Sequence, residues 1–303
     1  MSERPLAPVP EFPRRLAYLG TPEMAVPPLQ ALISNGFDVA LVVTGADKRR
    51  GRGNQMSPSP VKAAALDLGI PVSHRVDDVL EVGADLGVVV AFGKLIRRPV
   101  LEVLSMVNIH FSLLPRWRGA APVERALLAG DTRTGTCLMQ LEEGLDTGPV
   151  FDRVEVPIGA QETAQSLRAS LVSAGCEQLV RCLRDGLRHP VAQVGEATYA
   201  AKIQPEEWRI EWSHRADEVE RLVRLGAAWT TFRGKRMRVL AAQLDASGSS
   251  AGVVHGQIKG QRVACGGDTW LLLDTVQPEG KAPMTASAWL NGARPTAGDV
   301  LGA

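Results

Sequence analysis

The stretch 86–115, LGVVVAFGKLIRRPVLEVLSMVNIHFSLLP, contains two strand-like segments with a short helical segment between them. Residues 86–91 are apolar at almost every position, which is typical of a strand covered on both faces in a parallel sheet. Residues 98–104 have the pattern of a short helix, and residues 106–110 have that of another strand. A strand, a helix and a second strand in this order indicate a parallel βαβ unit.

The same alternation is present toward the amino terminus. We predict strands at 16–19 and 39–43, a helix that begins after Thr21, and a second helix at 61–68. This order predicts a doubly wound, mainly parallel α/β sheet of the Rossmann-like type. Ligands of such sheets bind beyond the carboxyl ends of the strands, so polar residues at those ends are candidates for a functional site.

The rest of the chain changes character. Two further strands and a long amphipathic helix are predicted at 136–141, 150–156 and 163–187. After an irregular segment, strand-like stretches separated by Gly and Ser follow at 237–242, 252–258, 262–265 and 270–276. Their spacing predicts a small β-barrel or sandwich. We therefore expect a first domain at 1–190, a linker at 191–206 and a β-barrel domain at 207–303.

Composition excludes several classes of protein. The 303 residues include 34 Lys and Arg against 33 Asp and Glu, and 45% are hydrophobic, which excludes a disordered or fibrous chain. No apolar run approaches the roughly 20 residues of a membrane-spanning helix, and residues 1–15 lack the apolar region of a signal peptide. The four cysteines form no CxxC pair and no zinc-type spacing, so we expect reduced thiols, no metal and a cytoplasmic protein.

The first glycine turn does not match a dinucleotide site. Residues 20–25, GTPEMA, lack the second and third glycines of GxGxxG, and GxxxxGK[ST] occurs nowhere in the chain. Without those glycines the backbone cannot approach a pyrophosphate in the usual way, which disfavours a nicotinamide-dependent enzyme.

Three polar residues form the strongest candidate for a catalytic site. Asn108 and His110 lie two apart on a predicted strand, so their side chains point to one face, at the carboxyl end of that strand. Asp146 lies in a Gly-flanked loop between two predicted strands, from which it could reach them. An amide can stabilise an oxyanion, and a histidine beside a carboxylate can move a proton, so the three residues suit acyl transfer to an amine without a nucleophilic Ser or Cys.

Structural roles for the same residues stay open at this point. A single histidine at a strand end is commonly a satisfied structural residue, and an Asp in a Gly-rich turn commonly forms an Asx-turn. Spacing alone does not separate these alternatives from catalysis.

The motifs resemble those of a known enzyme superfamily. Residues 108–115, NIHFSLLP, are similar to the N-x-H-x-SLLP signature of the formyltransferases that use 10-formyltetrahydrofolate, and Asp146 in GLDTG matches their third catalytic position. Within the superfamily the chain most resembles members that act on charged initiator Met-tRNA. Further matching motifs, in order, are GTP at 20–22, GRG at 51–53, PSPVK at 58–62, PRWRGAAP at 115–122, ATYA at 197–200 and AWTTF at 228–232.

The resemblance implies a reaction. The formyl group of 10-formyltetrahydrofolate would pass to the α-amine of methionine on the tRNA, by direct amine attack through a tetrahedral intermediate. The residues that match Asn108 and His110 stabilise the oxyanion in that family, and the one that matches Asp146 positions or relays the proton. An OB-like C-terminal barrel and the absence of a metal are also implied by the resemblance. We expect the chain to be a monomer.

The resemblance also implies where the folate lies. The pterin would contact the segment 90–95 and the loop 141–146, mainly through backbone groups, and residues 112–115 would form the pocket floor. The expected co-substrate residues are Val90, Ala91, Phe92, Gly93, Leu95, Ser112, Leu113, Leu114, Pro115 and Gly144.

Two basic clusters are candidate tRNA contacts, because Lys and Arg neutralise phosphates. The first consists of Lys48, Arg49, Arg50 and Arg52, and the second of Arg233, Lys235 and Arg236. A solvated surface is the ordinary alternative for the first cluster, and a hairpin turn for the second. Three rival functions also stay open: formylation of a small amine, hydrolysis of formyltetrahydrofolate, and tRNA binding by a chain that has lost catalysis.

Overall fold

The computed structural model describes residues 4–50 and 55–303, and for Arg50 it describes the backbone only. The chain divides into two compact units. The first comprises Met1–Pro122, Arg133–Pro157 and Arg168–Ala201, and the second comprises Val123–Thr132, Ile158–Leu167 and Lys202–Ala303. The domain boundaries expected from the sequence, near 190 and 207, stay a prediction.

A seven-stranded sheet forms the centre of the first unit. The strands of this part of the chain are β1 (Arg15–Gly20), β2 (Asp38–Val43), β3 (Lys48–Arg50), β4 (Gln55–Ser57), β5 (Val72–Ser73), β6 (Leu86–Val90), β7 (Met106–His110), β8 (Arg133–Gln140) and β9 (Val150–Pro157). The sheet has the order β5-β2-β1-β6-β7-β8-β9, in which the first five strands are parallel and the last two are antiparallel to their neighbours. The predicted doubly wound, mainly parallel sheet is confirmed.

Helices precede or follow most of these strands, as the alternating pattern predicts. They are α1 (Val26–Ser34), α2 (Pro60–Asp67), α3 (Arg98–Leu101), α4 (Pro122–Ala129) and α5 (Ala164–Asp185). Residues of β1, β6 and β7 are buried at nearly every position, so both faces of the central strands are covered. Among the residues that the structure describes, no helix is both long and apolar enough to cross a membrane.

Strands β3 and β4 form a separate two-stranded hairpin that the sequence analysis did not predict. Each strand has only three residues, and polar or charged residues dominate both. Such short polar segments have no periodic burial pattern, which explains why they were missed.

The second unit contains a six-stranded antiparallel sheet. Its strands are β10 (Trp229–Phe232), β11 (Lys235–Asp245), β12 (Ile258–Lys259), β13 (Arg262–Cys265), β14 (Thr269–Pro278) and β15 (Met284–Thr285), with helices α6 (Ala216–Arg224) and α7 (Ala286–Ala293). The order is β10-β11-β14-β13-β12, and β15 pairs with β14. Bridges from Leu301 to Phe232 and from Val300 to Gln257 join the two edges of the sheet and close it as a small barrel.

The strand predicted at 252–258 is wrong, since only Ile258 of that segment belongs to a strand. Gly252 and Gly256 have φ angles of +73° and +82°, which a regular strand does not allow. A Cβ at Gly256 would also lie 2.3 Å from the Leu301 carbonyl oxygen, so this glycine allows the terminal segment to approach. The run of apolar residues therefore forms turns instead of a strand.

We predict that Ser59→Ala destabilises the protein. The fully buried Ser59 hydroxyl accepts a hydrogen bond from the Lys62 amide at the start of α2 (3.0 Å) and shares one with the Thr44 hydroxyl (2.7 Å). Loss of the cap and of the buried partner should lower the free energy of unfolding by about 1–3 kcal/mol, measured in urea. Thr285→Ala, which removes an exposed cap from α7, is the control, and equal losses in both variants would contradict the buried contribution.

Candidate active site

The carboxyl end of β7 holds two buried polar side chains. Asn108 is 9% exposed and His110 is 5% exposed. In the sheet Asn108 pairs with Val89 of β6 and Met139 of β8, and His110 pairs with Cys137 of β8. Because they alternate with Ile109, both polar residues face the same side of the sheet.

Two loops contact the imidazole of His110. Its Nε2 lies 2.8 Å from the carbonyl oxygen of Trp117, and its Nδ1 lies 3.5 Å from Oδ2 of Asp146. The same carboxylate oxygen accepts a hydrogen bond from the Gly119 amide at 2.8 Å. The loop after β7 and the β8–β9 hairpin loop therefore converge on one histidine.

The contact with Trp117 determines the tautomer of His110. A carbonyl oxygen only accepts, so Nε2 must carry a proton. In the neutral ring Nδ1 is then an acceptor, and it faces a carboxylate that also only accepts. These two groups attract each other only when a proton lies between them, either on the ring or on the acid. The 3.5 Å between Nδ1 and Oδ2 leaves these two atoms facing each other at the end of β7.

The conformation of the β8–β9 loop places Asp146. Asp146 has a φ of +51°, a left-handed conformation that costs a non-glycine residue free energy. At Gly148 a Cβ would lie 2.0 Å from the carbonyl oxygen of Gln140, so only glycine permits this close return of the chain. The tight crossing at Gly148 and the hydrogen bond from the Gly119 amide offset this cost and hold the carboxylate near His110.

Unlike the imidazole of His110, the carboxamide of Asn108 is not held by another described residue. Across residues 4–50 and 55–303, no protein group forms a hydrogen bond with its carboxamide. Its side-chain nitrogen and oxygen are not among the fully buried unpartnered atoms of the described residues, so they are accessible at the end of β7. The amide N–H groups are therefore candidates to donate to a bound substrate.

The segment expected to contact the folate makes a sharp turn after β6. Ala91 and Gly93 have φ angles of +47° and +72°, while Phe92 is buried in the core and Leu95 is 77% exposed. The Nζ of Lys94 donates to the carbonyl of His74 at 2.9 Å and holds the turn. Val90 is fully buried at the end of β6, whereas Gly93 and Leu95 beyond it are exposed.

Residues 112–115 follow β7 and are buried or half-buried. The hydroxyl of Ser112 is buried and donates to the carbonyl of Arg116 at 2.5 Å, which stabilises the turn. Leu114 packs with Cys137, Met139 and Val150, and Leu113 is half-buried. Pro115 follows a cis peptide bond, and Gly144 is exposed in the hairpin loop.

The thiol nearest to His110 along the sheet is not poised to act as a nucleophile. Cys137 is fully buried, and burial raises its pKa to about 11. A thiol with that pKa is protonated at neutral pH and unreactive. Among the described residues, no group of three or more His, Cys, Asp or Glu is arranged to hold a metal ion.

The first basic cluster lies on the β3–β4 hairpin. Lys48 and Arg49 are exposed, and the adjacent Asp47 forms an ion pair with Lys62 at 2.8 Å. That pair neutralises the nearest acid, so the charges of Lys48 and Arg49 are available on the hairpin. The side chain of Arg50 and all of Arg52 lie outside the described residues.

The second basic cluster is engaged in contacts within its own unit. Arg233 forms two hydrogen bonds with Asp299 (2.9 and 2.6 Å), which lower the pKa of that carboxyl below its usual range. Arg236 stacks 4.3 Å over the ring of Trp229. Lys235 is exposed at the start of β11. Arg233 is therefore held within its own unit, and the expected contact of this cluster with tRNA stays a prediction.

The sequence analysis missed several residues that hold the site together. Trp117 and Gly119 act through backbone atoms, so their side chains carry no signal. Arg118 and Gln193 join the two loops, although residues 191–206 were expected to be a linker. The motifs PRWRGAAP and ATYA did mark the two segments involved, but gave no role for them.

Comparison with known proteins identifies the family. Residues 14–183 match the formyl transferase family and residues 202–294 match the formyl transferase C-terminal domain. The methionyl-tRNA formyltransferase of Jannaschia sp. (strain CCS1) is 40% identical over 305 residues, which cover 95% of this chain and 99% of the relative. That of Clavibacter sepedonicus is 42% identical over 306 residues, with the same two coverages.

Solved structures share the fold at low sequence identity. The N-formyltransferase of Helicobacter canadensis, in complex with folinic acid and dTDP-3-aminofucose, has a TM-score of 0.66 and 16% identity, covering 87% of this chain and 98% of that one. HypX of Aquifex aeolicus, in complex with tetrahydrofolic acid, has a TM-score of 0.61 and 16% identity, covering 92% and 47%.

The class of protein that fold and site define is thus a formyltransferase. The chain belongs to the formyl transferase family, and the resemblance expected from its motifs is confirmed. Its curated relatives with about 40% identity are methionyl-tRNA formyltransferases.

We predict that Gly148→Ala both destabilises the protein and lowers its activity. The added Cβ must displace the Gln140 carbonyl, at a cost of about 1–3 kcal/mol in unfolding free energy, and the carboxylate of Asp146 moves with the loop. Thermal unfolding and a steady-state assay measure both effects. Gly159→Ala is the control, since its nearest contact would be 3.5 Å away. A stable and fully active Gly148→Ala would contradict the close crossing.

Proposed function

We propose that this protein transfers the formyl group of 10-formyltetrahydrofolate to the α-amine of methionine on charged initiator tRNA. The observation that carries the chemistry is the unpartnered Asn108 carboxamide at the end of β7, beside the His110–Asp146 pair. Relatives of nearly the same length, named for Met-tRNA, support this acceptor.

The proposed reaction needs a charge stabiliser and a proton carrier. The amine nitrogen attacks the formyl carbon and forms a C–N bond, while the carbonyl electrons move onto the formyl oxygen. The Asn108 N–H groups donate to that oxyanion. The proton lost by the amine passes to the His110–Asp146 pair and from there to the departing folate nitrogen, as the C–N bond to the folate breaks.

The residues beyond β6 fit a flat heterocycle held by backbone contacts. The left-handed conformations of Ala91 and Gly93 turn peptide groups away from the regular sheet pattern. Phe92 anchors the turn in the core, and the exposed Leu95 supplies an apolar surface. Together with the loop around Gly144, this segment would hold the folate, which enters as a substrate that carries the formyl group.

The charged hairpin supports a nucleic-acid acceptor over a small amine. Lys48 and Arg49 are exposed, and within the described part of the hairpin the adjacent Asp47 pairs with Lys62 instead of with them. Phosphates of an acceptor arm would attract such charges, whereas a small amine would gain little from them. We further propose that the protein acts as a monomer in the cytoplasm.

Removal of either catalytic group should reduce turnover strongly. We predict that Asn108→Ala and Asp146→Ala each lower kcat for Met-tRNA formylation by roughly 10²-fold or more, because an oxyanion donor or a proton carrier is lost. The Kd for Met-tRNA should change little. Asp146→Asn, which keeps an acceptor for the Gly119 amide but cannot carry the proton, should fall as far as Asp146→Ala. Near-normal turnover in one of these variants would refute the role of that residue.

The hairpin should contribute to affinity instead of turnover. We predict that Arg49→Ala weakens Met-tRNA binding and reduces the slope of log K against log salt concentration by roughly one ion. Arg133→Ala removes the same charge from an exposed pair with Glu155 and serves as the control. Equal slopes for wild type and Arg49→Ala would contradict a role in tRNA binding and would indicate that the hairpin is an ordinary solvated surface.

A further inference from the structure

The segment after α5 connects the two loops that contact His110. Val191 and Val150 exchange backbone hydrogen bonds of 2.8 and 2.9 Å beside the Asp146 loop. Farther along, Thr198 accepts a hydrogen bond from the Arg118 amide (2.9 Å), and the Ala200 amide donates to the Arg118 carbonyl (2.7 Å). We call residues 191–200 the strap. It runs from one catalytic loop to the other.

One side chain of the strap bonds to both loops. The amide nitrogen of Gln193 donates to the carbonyl oxygens of Asp146 and Gly148, each at 2.8 Å. Its amide oxygen accepts from Nε and Nη2 of Arg118, at 3.1 and 2.7 Å. All four hydrogen-bonding positions of the amide are therefore occupied, which fixes its orientation.

The partners of Gln193 lie next to the residues that contact His110, so this contact affects the geometry of the site as well as stability. Arg118 lies between Trp117, which accepts from His110, and Gly119, which donates to the Asp146 carboxylate. On the other side, Gln193 holds the carbonyl of Asp146 itself, a residue in a strained conformation. Loss of the amide would let Asp146 relax and would uncouple the two loops.

We propose that Gln193 is a positioning residue that holds the Asp146 carboxylate against His110 through the loops on either side. The proposal rests on the proposed function, since it assigns Gln193 a role in the proton transfer of that reaction. Gln193 contacts the two loops and not the reacting atoms. Its effect passes through the placement of Asp146.

The most informative variant is Gln193→Glu. It keeps the size of the side chain and an oxygen for Arg118, but it places a second oxygen opposite the carbonyls of Asp146 and Gly148, where no proton can be donated. We expect kcat for Met-tRNA formylation to fall about 10-fold or more, because small misplacements of a catalytic group are costly. The KM values for folate and Met-tRNA should stay within about twofold of wild type.

A double-mutant cycle separates positioning from a general structural role. Once Asp146→Ala has removed the carboxylate, Gln193→Glu should cause less than about a twofold further loss. Gln193→Ala, which adds no charge, should behave in the same way. Gln261→Ala removes a half-buried amide that donates to the Leu273 carbonyl in the second unit, and it should leave kcat unchanged. Full additivity in the cycle, or an unchanged kcat for Gln193→Glu, would overturn the proposal.

Hydrogen exchange gives a readout that does not depend on activity. Amide exchange at Gly119, whose N–H donates to Asp146, and at Val150, whose N–H donates to the Val191 carbonyl of the strap, should accelerate in both Gln193 variants but not in Gln261→Ala. Unchanged exchange there would contradict the positioning role. Absence of formyl transfer to Met-tRNA by the wild type would instead refute the proposed function, and the exchange experiment would still decide the role of Gln193.

Discussion

The imidazole of His110 is buried, and each of its two nitrogens needs a suitable partner. Nε2 has its partner in the Trp117 carbonyl, and Nδ1 faces the Asp146 carboxylate. Since these partners lie on two different loops, the histidine can be satisfied only when both loops return to the end of β7. The left-handed Asp146, the glycine at 148 and the strap are the features that make this return possible.

The same constraint explains why Asn108 and His110, on one strand, differ in their contacts with other protein groups. His110 is held by protein groups on both sides, whereas the Asn108 carboxamide has no partner among the described residues. In the proposed reaction, His110 and Asp146 carry the proton and Asn108 donates to the oxyanion, and these roles need a held imidazole beside an accessible amide. The high pKa of the buried Cys137 thiol argues against a covalent intermediate on this cysteine.

The parts that could be predicted from the sequence are those with a local signal. The apolar runs of β6 and β7 and the polar pair on β7 define the sheet and its candidate site, and the motifs indicated the family. The contacts of Trp117 and Gly119 could not be predicted, because backbone atoms carry no residue-type signal. Gln193 acts across 47 positions of sequence to Asp146, and no periodicity reports such a contact. The strand predicted at 252–258 failed because Gly252 and Gly256 have left-handed conformations, and Gly256 lies against the distant Leu301.

One measurement with the wild-type protein tests whether Met-tRNA is the acceptor. Formyl transfer from 10-formyltetrahydrofolate is followed with Met-tRNA, uncharged tRNA, free methionine and glycinamide ribonucleotide as parallel acceptors. We expect rapid transfer to Met-tRNA and none to the other three. Transfer to glycinamide ribonucleotide or free methionine, with Met-tRNA inert, would preserve the chemistry of Asn108, His110 and Asp146 and contradict the assignment of the tRNA.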